Sequence, residues 1–167
     1  MTNIASIPYD ARSDEEKIQS QWVKLTGLHD RTDWSAAVVR AATAAKLAVN
    51  LAIRREFSAR SDFDAAFVDH LLKWANGLSG KIRNVLMPLL AGDPKHDAVE
   101  KLTELARRIN GRRNDIAHRG AFCYEEPSTA LIADCRAFVH GIVQLYEPEF
   151  TLKDSARRGG RPPGKRR

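Results

Sequence analysis

The stretch from Trp34 to Phe57, WSAAVVRAATAAKLAVNLAIRREF, decides the fold class. It is rich in alanine, leucine, lysine and arginine, all strong helix formers, and contains neither glycine nor proline. It follows Asp33, whose short carboxylate can accept from the free N–H groups of a first helical turn. Val38, Ala41, Ala45, Ala48, Leu51 and Ala52 recur at helical spacing. Most of them are small, so this narrow stripe lets a neighbouring helix approach closely.

Helical signals recur on both sides of that stretch. Upstream, Ser13 and Glu16 have the spacing of a capping box, which predicts a helix from about Asp14 that ends near Gly27. Downstream, Ser61 and Asp64 repeat the spacing and open a helix with Phe63, Phe67, Leu71, Trp74, Leu78, Ile82, Val85 and Leu89 on its inner face. Gly77, Gly80 and Pro88 weaken it, so a kink or break is expected there. Gly92, Asp93 and Pro94 end that helix and start the next, with Asp97 and Glu100 favourable near its positive end. Pro127 starts the last, which turns Leu131, Ile132, Cys135, Phe138, Val139, Ile142 and Leu145 inward and closes at Pro148. No segment sustains the alternation of a strand. The expected fold is all-α: an antiparallel four-helix bundle over residues 30–150, an N-terminal segment with a short helix over 1–29, and a disordered basic tail over 151–167.

A chain of 167 residues is one domain's worth and can bury a single core. Cys123 and Cys135 have no metal-type spacing and read as free packing thiols of a reducing, cytoplasmic setting. No continuous apolar run approaches the ~18 residues of a membrane span, and the start lacks the pattern of a leader, so a soluble protein without membrane contact is expected. The net charge of +6 has a location: from Thr151 onward seven Lys or Arg face one Asp, and the body before it is neutral. Arg157, Arg158, Arg161, Lys165, Arg166 and Arg167 are therefore expected to grip the phosphate backbone of RNA or DNA.

Within the neutral body, charge clusters in one place, RRINGRRNDIAHRG, residues 107–120. The apolar stripe of this helix runs through Leu102, Leu105, Ala106 and Ile109 and resumes at Ile116 and Ala117. Helical spacing calls for an apolar side chain at 112 or 113, and arginine occupies both. A guanidinium on an inward face must reach out to water or find a partner. Asn114 and His118 are four apart and share a face, with Arg113 about 100° beside Asn114, so all three can converge on one small anion. An imidazole can take the proton of a ribose 2′-hydroxyl, and a guanidinium can bind the phosphorane that forms, which is RNA cleavage without a metal. The plain alternative is a helix end: basic residues meet the negative pole, and Gly120 suits the position after the last turn. Asn110 and Gly111 also read as a turn. His29, His70, His96 and His140 are scattered without metal-ligand spacing.

Arg113-Asn114-Asp115-Ile116-Ala117-His118 resembles the Arg-polar-x3-His signature of HEPN domains, small all-α proteins that include metal-independent ribonucleases. The resemblance implies a bundle over roughly residues 30–148, with Arg113 and His118 as the catalytic pair and Asn114 supporting them. Arg112 supplies a longer spacing that the family also tolerates. It further implies a homodimer joining two motifs in one cleft, RNA as substrate, no cofactor or metal, and a role as a toxin or a defence or stress nuclease with an antitoxin or defence-system partner. Arg107, Arg108, Arg112 and Arg119 are expected to add local affinity for RNA. Family toxins often carry a tyrosine two residues after the His, where this chain has Gly120, so adenylylation there is not expected. The alternative within the same resemblance is a non-catalytic module binding RNA, nucleotide or a protein.

Overall fold

The computed structural model describes residues 7–75 and 77–155. After a 3-10 turn at Tyr9–Ala11 come α1 (Asp14–Asp30), α2 (Trp34–Arg60) and α3 (Ala65–Trp74). Then α4 (Leu78–Lys81), a π turn (Ile82–Leu86) and α5 (Met87–Leu89) form one helical segment, followed by α6 (Lys95–Arg119) and α7 (Glu125–Val143). Among the described residues there is no strand, and α1, α2, α6 and α7 make the bundle.

Several elements start where their side chains dictate. Ser13 Oγ accepts from the Glu16 N–H at 3.2 Å, and the Glu16 carboxylate accepts from the Ser13 N–H at 2.9 Å, so the capping box is formed. Asp33 caps α2 by accepting from Ala36 N–H. The first helix is longer than expected and is a full member of the bundle. It continues past Gly27 to Asp30 and stops where Thr32 adopts φ +64°, and its Ile18, Trp22 and Leu25 are wholly buried. The segment before residue 30 therefore shares the core of the rest.

Helices adjacent along the bundle run antiparallel, whereas α2 and α7 run the same way. Ser128 Oγ donates to the Trp34 carbonyl at one end of the pair, and the Tyr146 hydroxyl donates to Glu56 at the other. In an up-down bundle these two lie across a diagonal, yet here they pack on each other directly. Ala37, Ala41, Ala44, Ala45, Ala48 and Ala52 of α2 are wholly buried, and side chains this small let the diagonal close. The buried face of α2 is broader than a narrow stripe because the helix is surrounded. By length and composition α2 could also cross a membrane, but its apolar residues face the bundle interior. Helices α6 and α7 approach closely at Gly141, where any Cβ would lie 2.7 Å from Leu102 Cδ1.

The third helical region departs from the sequence pattern. Ser61 closes α2, its N–H and hydroxyl both bonding the Phe57 carbonyl, and Asp64 alone caps α3. Val68 and Leu72 face the core, while Phe63, Phe67 and Trp74 are exposed. The expected break falls at Gly77, with φ +66°, and the π turn shifts the phase again, so that Leu78, Ile82, Leu86 and Leu90 point inward. A single helical phase cannot be carried across those two interruptions.

The start of the expected tail is ordered by α1 and α7. Leu152 is buried, Gln19 exchanges two hydrogen bonds with the backbone of Lys153, and Trp22 Nε1 donates to Asp154 at 2.8 Å. Arg136 pairs with Asp154 and lies over the Trp22 ring, and Ser155 bonds Thr26. Only residues 156–167 of the proposed tail, with Arg157, Arg158, Arg161, Lys165, Arg166 and Arg167, lie outside the described residues.

Candidate active site

Helix α6 is unbroken through Asn110 and Gly111, so the motif lies on its last turns. It ends at Gly120, whose φ of +67° only glycine adopts readily, and the Gly120 and Ala121 N–H groups both reach the Asp115 carbonyl. The plain reading of a helix terminus is thus correct for Gly120, and it leaves the side chains before it unexplained.

Those side chains converge. Arg113 Nη1 donates to Asn114 Oδ1 at 3.0 Å and to His118 Nε2 at 2.9 Å. A guanidinium has only donors, so in this contact Nε2 is the accepting side. Arg113 is half-buried and His118 exposed. Arg112 turns elsewhere: its Nη2 donates to the Phe122 carbonyl at 3.2 Å and its buried Nε has no acceptor among the described residues. Of the two candidate arginines, Arg113 is the one that meets the histidine.

The remaining arginines of the cluster are engaged with carboxylates. Arg107 is bidentate to Glu104, Arg108 pairs with Asp134 of α7, and Arg119 pairs with Asp115. These are exposed or half-exposed pairs, worth little energetically and easily exchanged for a phosphate.

Arg113 also faces a cleft of about 390 Å³ between α2 and α6. Thr43 and Lys46 come from α2, Gly77 and Leu78 from the N-cap and first residue of α4, and Asn110, Arg113 and Asn114 from α6. Among the described residues no carboxylate lines it. Beneath α2 lies a further cation: Lys81 is 1% exposed, and its Nζ donates to Asn50 Oδ1 at 2.6 Å. Burial, then the nearby charges of Lys46 and Arg54, lower the Lys81 ammonium to about 8. Lys46, Lys81 and Asn110 escaped sequence reasoning. The available signal was that Lys46 is the only charged residue of α2 between Arg40 and Arg54.

Other features stand apart. His96, Asp97 and Glu100 have ligand atoms within 4.8 Å of one another, but they are on the first turns of α6. Sixteen residues of helix, roughly 24 Å, separate Asp97 from Arg113. Cys123 and Cys135 are free and buried, and burial pushes the Cys135 thiol up, as expected of packing residues. Trp22 is core, Trp74 is exposed, and Phe122 and Tyr124 beside the motif are exposed as well. Comparison with protein-family models, curated proteins and solved structures returns no match.

Proposed function

We propose that the protein is a metal-independent endoribonuclease of the HEPN type, with Arg113 and His118 as catalytic residues and Asn114 holding Arg113. The observation that carries this reading is one guanidinium bonded at once to Asn114 and to His118 Nε2 while facing a cleft free of carboxylates. A phosphodiester entering the cleft offers Arg113 a charged acceptor that outcompetes the neutral imidazole. With Arg113 moved to the phosphate, Nε2 is free to take the 2′-hydroxyl proton. The 2′-oxygen then attacks phosphorus, the P–O5′ bond breaks, and the departing 5′-oxygen takes a proton from water. Arg113 stabilises the charge gathered on the phosphorane.

Purified full-length protein incubated with mixed single-stranded RNA in EDTA is expected to leave 2′,3′-cyclic phosphate and 5′-hydroxyl ends. A 2′-deoxy strand should stay intact. Dependence on a divalent ion, or products with 3′-hydroxyl ends, would overturn the mechanism.

Two protomers facing each other across the end of α6 would join their motifs, with exposed Phe122 and Tyr124 in the seam. Sedimentation at micromolar concentration is expected to show a dimer, consistent with about 1,600 Å² buried in total; monomer alone would remove the shared cleft. A cytoplasmic toxin or defence nuclease with an antitoxin or defence-system partner is the setting that fits this chemistry. The second reading, a non-catalytic module binding RNA, nucleotide or protein, is favoured by the occupied His118 Nε2 and by the carboxylate-paired arginines.

A further inference from the structure

We propose that the cleft between α2 and α6 is a phosphate subsite, in which Lys46 and Arg113 together hold one phosphate of a single-stranded nucleic-acid backbone. Lys46 lies outside the motif and on another helix, so the binding site would be built from two elements of the bundle. The proposal rests on the ribonuclease reading only in taking RNA as the polymer; the subsite itself stands on the geometry of the cleft.

Two cations line the cleft with the Thr43 hydroxyl and the amides of Asn110 and Asn114, all of which can donate to phosphate oxygens. On the same helices Arg54 is matched with Asp14 and Asp69, Arg55 with Glu15 and Glu147, Arg60 with Glu56 and Asp93, and Arg108 with Asp134, whereas Arg40 and Arg112 bond neutral acceptors. Among the described residues Lys46 and Arg113 form no ion pair. Buried Lys81 adds a third positive charge close enough to feel Lys46. In a body of zero net charge, a pocket whose polar lining consists of two cations, two amides and a hydroxyl is complementary to an anion. Lys46 comes from α2 and Arg113 from α6, so the two cations line the same cleft from different helices. His118 does not line the cleft itself, and Arg113, which does, connects the subsite to it through the contact with Nε2.

The test uses the full chain, since Lys46 is exposed and its replacement leaves the core intact. A fluorescent 2′-deoxy oligonucleotide, which the enzyme cannot cleave, is titrated at several salt concentrations against wild type, Lys46→Ala, Lys46→Arg and His118→Ala. Lys46→Ala is expected to weaken binding about tenfold and to reduce the slope of log affinity against log salt by about 0.7, one phosphate contact. Lys46→Arg should restore both, and Lys46→Ala should raise KM for RNA more than it lowers kcat. Unchanged affinity and slope for Lys46→Ala would overturn the subsite even if RNA is cleaved. Lys46-dependent binding without cleavage by any variant would uphold the subsite and defeat the ribonuclease reading instead.

Discussion

Arg113→Ala and His118→Ala are each expected to lower RNA cleavage by about a thousandfold, within the range measured for a lost general base or a lost charge-stabilising donor. His118 is exposed, so its replacement should change stability by no more than about 0.5 kcal/mol. Loss of activity with unaltered helical circular dichroism would therefore report chemistry and not unfolding. The hydrogen bond between the two side chains adds a sharper expectation. If they act on one phosphate as a unit, the double variant should be hardly slower than either single one, because removing one partner already disables the other. Arg113→Lys should remain strongly impaired, since an ammonium cannot reproduce the planar fork that reaches Asn114 and a phosphate together. Cleavage by His118→Ala at the wild-type rate would remove the histidine from the mechanism.

The largest effect on stability is expected from Glu56→Ala. The carboxylate of Glu56 is 3% exposed and accepts from Tyr146 and Arg60, with Lys95 in an ion pair. It joins α2, the start of α6 and the chain after α7 at the end of the bundle away from the motif. Its removal leaves a buried hydroxyl and two cations with fewer acceptors, a loss of about 3 kcal/mol and a fall in Tm on the order of 10 °C. Burial alone would push the Glu56 carboxyl up, but the bonds from Tyr146, Arg60 and Lys95 outweigh it and hold the group below its ordinary value of 4.5. A carboxyl lowered by folding contributes stability that is fully present above its unfolded pKa and is lost as pH falls through its folded pKa. The gap between wild type and Glu56→Ala should thus be constant above about pH 5 and narrow in more acidic solution. Burial, and then the Glu56 carboxylate, push the Tyr146 hydroxyl up, so it remains a donor throughout. A gap that widens on acidification would contradict this account of the cluster. RNA cleavage per folded molecule should be unaffected.

Short-range chemistry was readable from the residues themselves. Ser13 with Glu16, Asp33, and Gly120 act within a turn or so of their own position, and each does what its type and spacing require. So does the convergence of Arg113, Asn114 and His118, which depends only on an uninterrupted α6. What escaped depends on other parts of the chain. The inner face of α3 differs from the stripe in the sequence because Gly77 and the π turn, which follow it, each reset the helical phase, so the phase of Leu78 and Ile82 does not extend back to Phe67 and Trp74. Trp22 and Asp154 are 132 positions apart, and nothing local in either announces their bond. Lys46 looks like an ordinary surface lysine until α6 is placed opposite it.

The strap along α1 and α7 has a mechanical consequence. Going from Leu152 to Ser155, the backbone passes Gln19, then Trp22, then Thr26, so it travels toward the C-terminal end of α1. That end meets the first turn of α7 through His29 and Thr129, and the same end of the bundle carries the loop after α6 with the motif just inside it. The twelve residues beyond Ser155, six of them Lys or Arg, are thereby tethered at the motif end instead of the Glu56 end. Fully extended they span at most about 40 Å. Any ligand bound by that stretch would accordingly be held at the end of the bundle that carries the motif. The anchor itself is made of Trp22, Arg136 and Asp154 and uses none of the arginines beyond them, so it holds the chain at this end whatever those arginines bind.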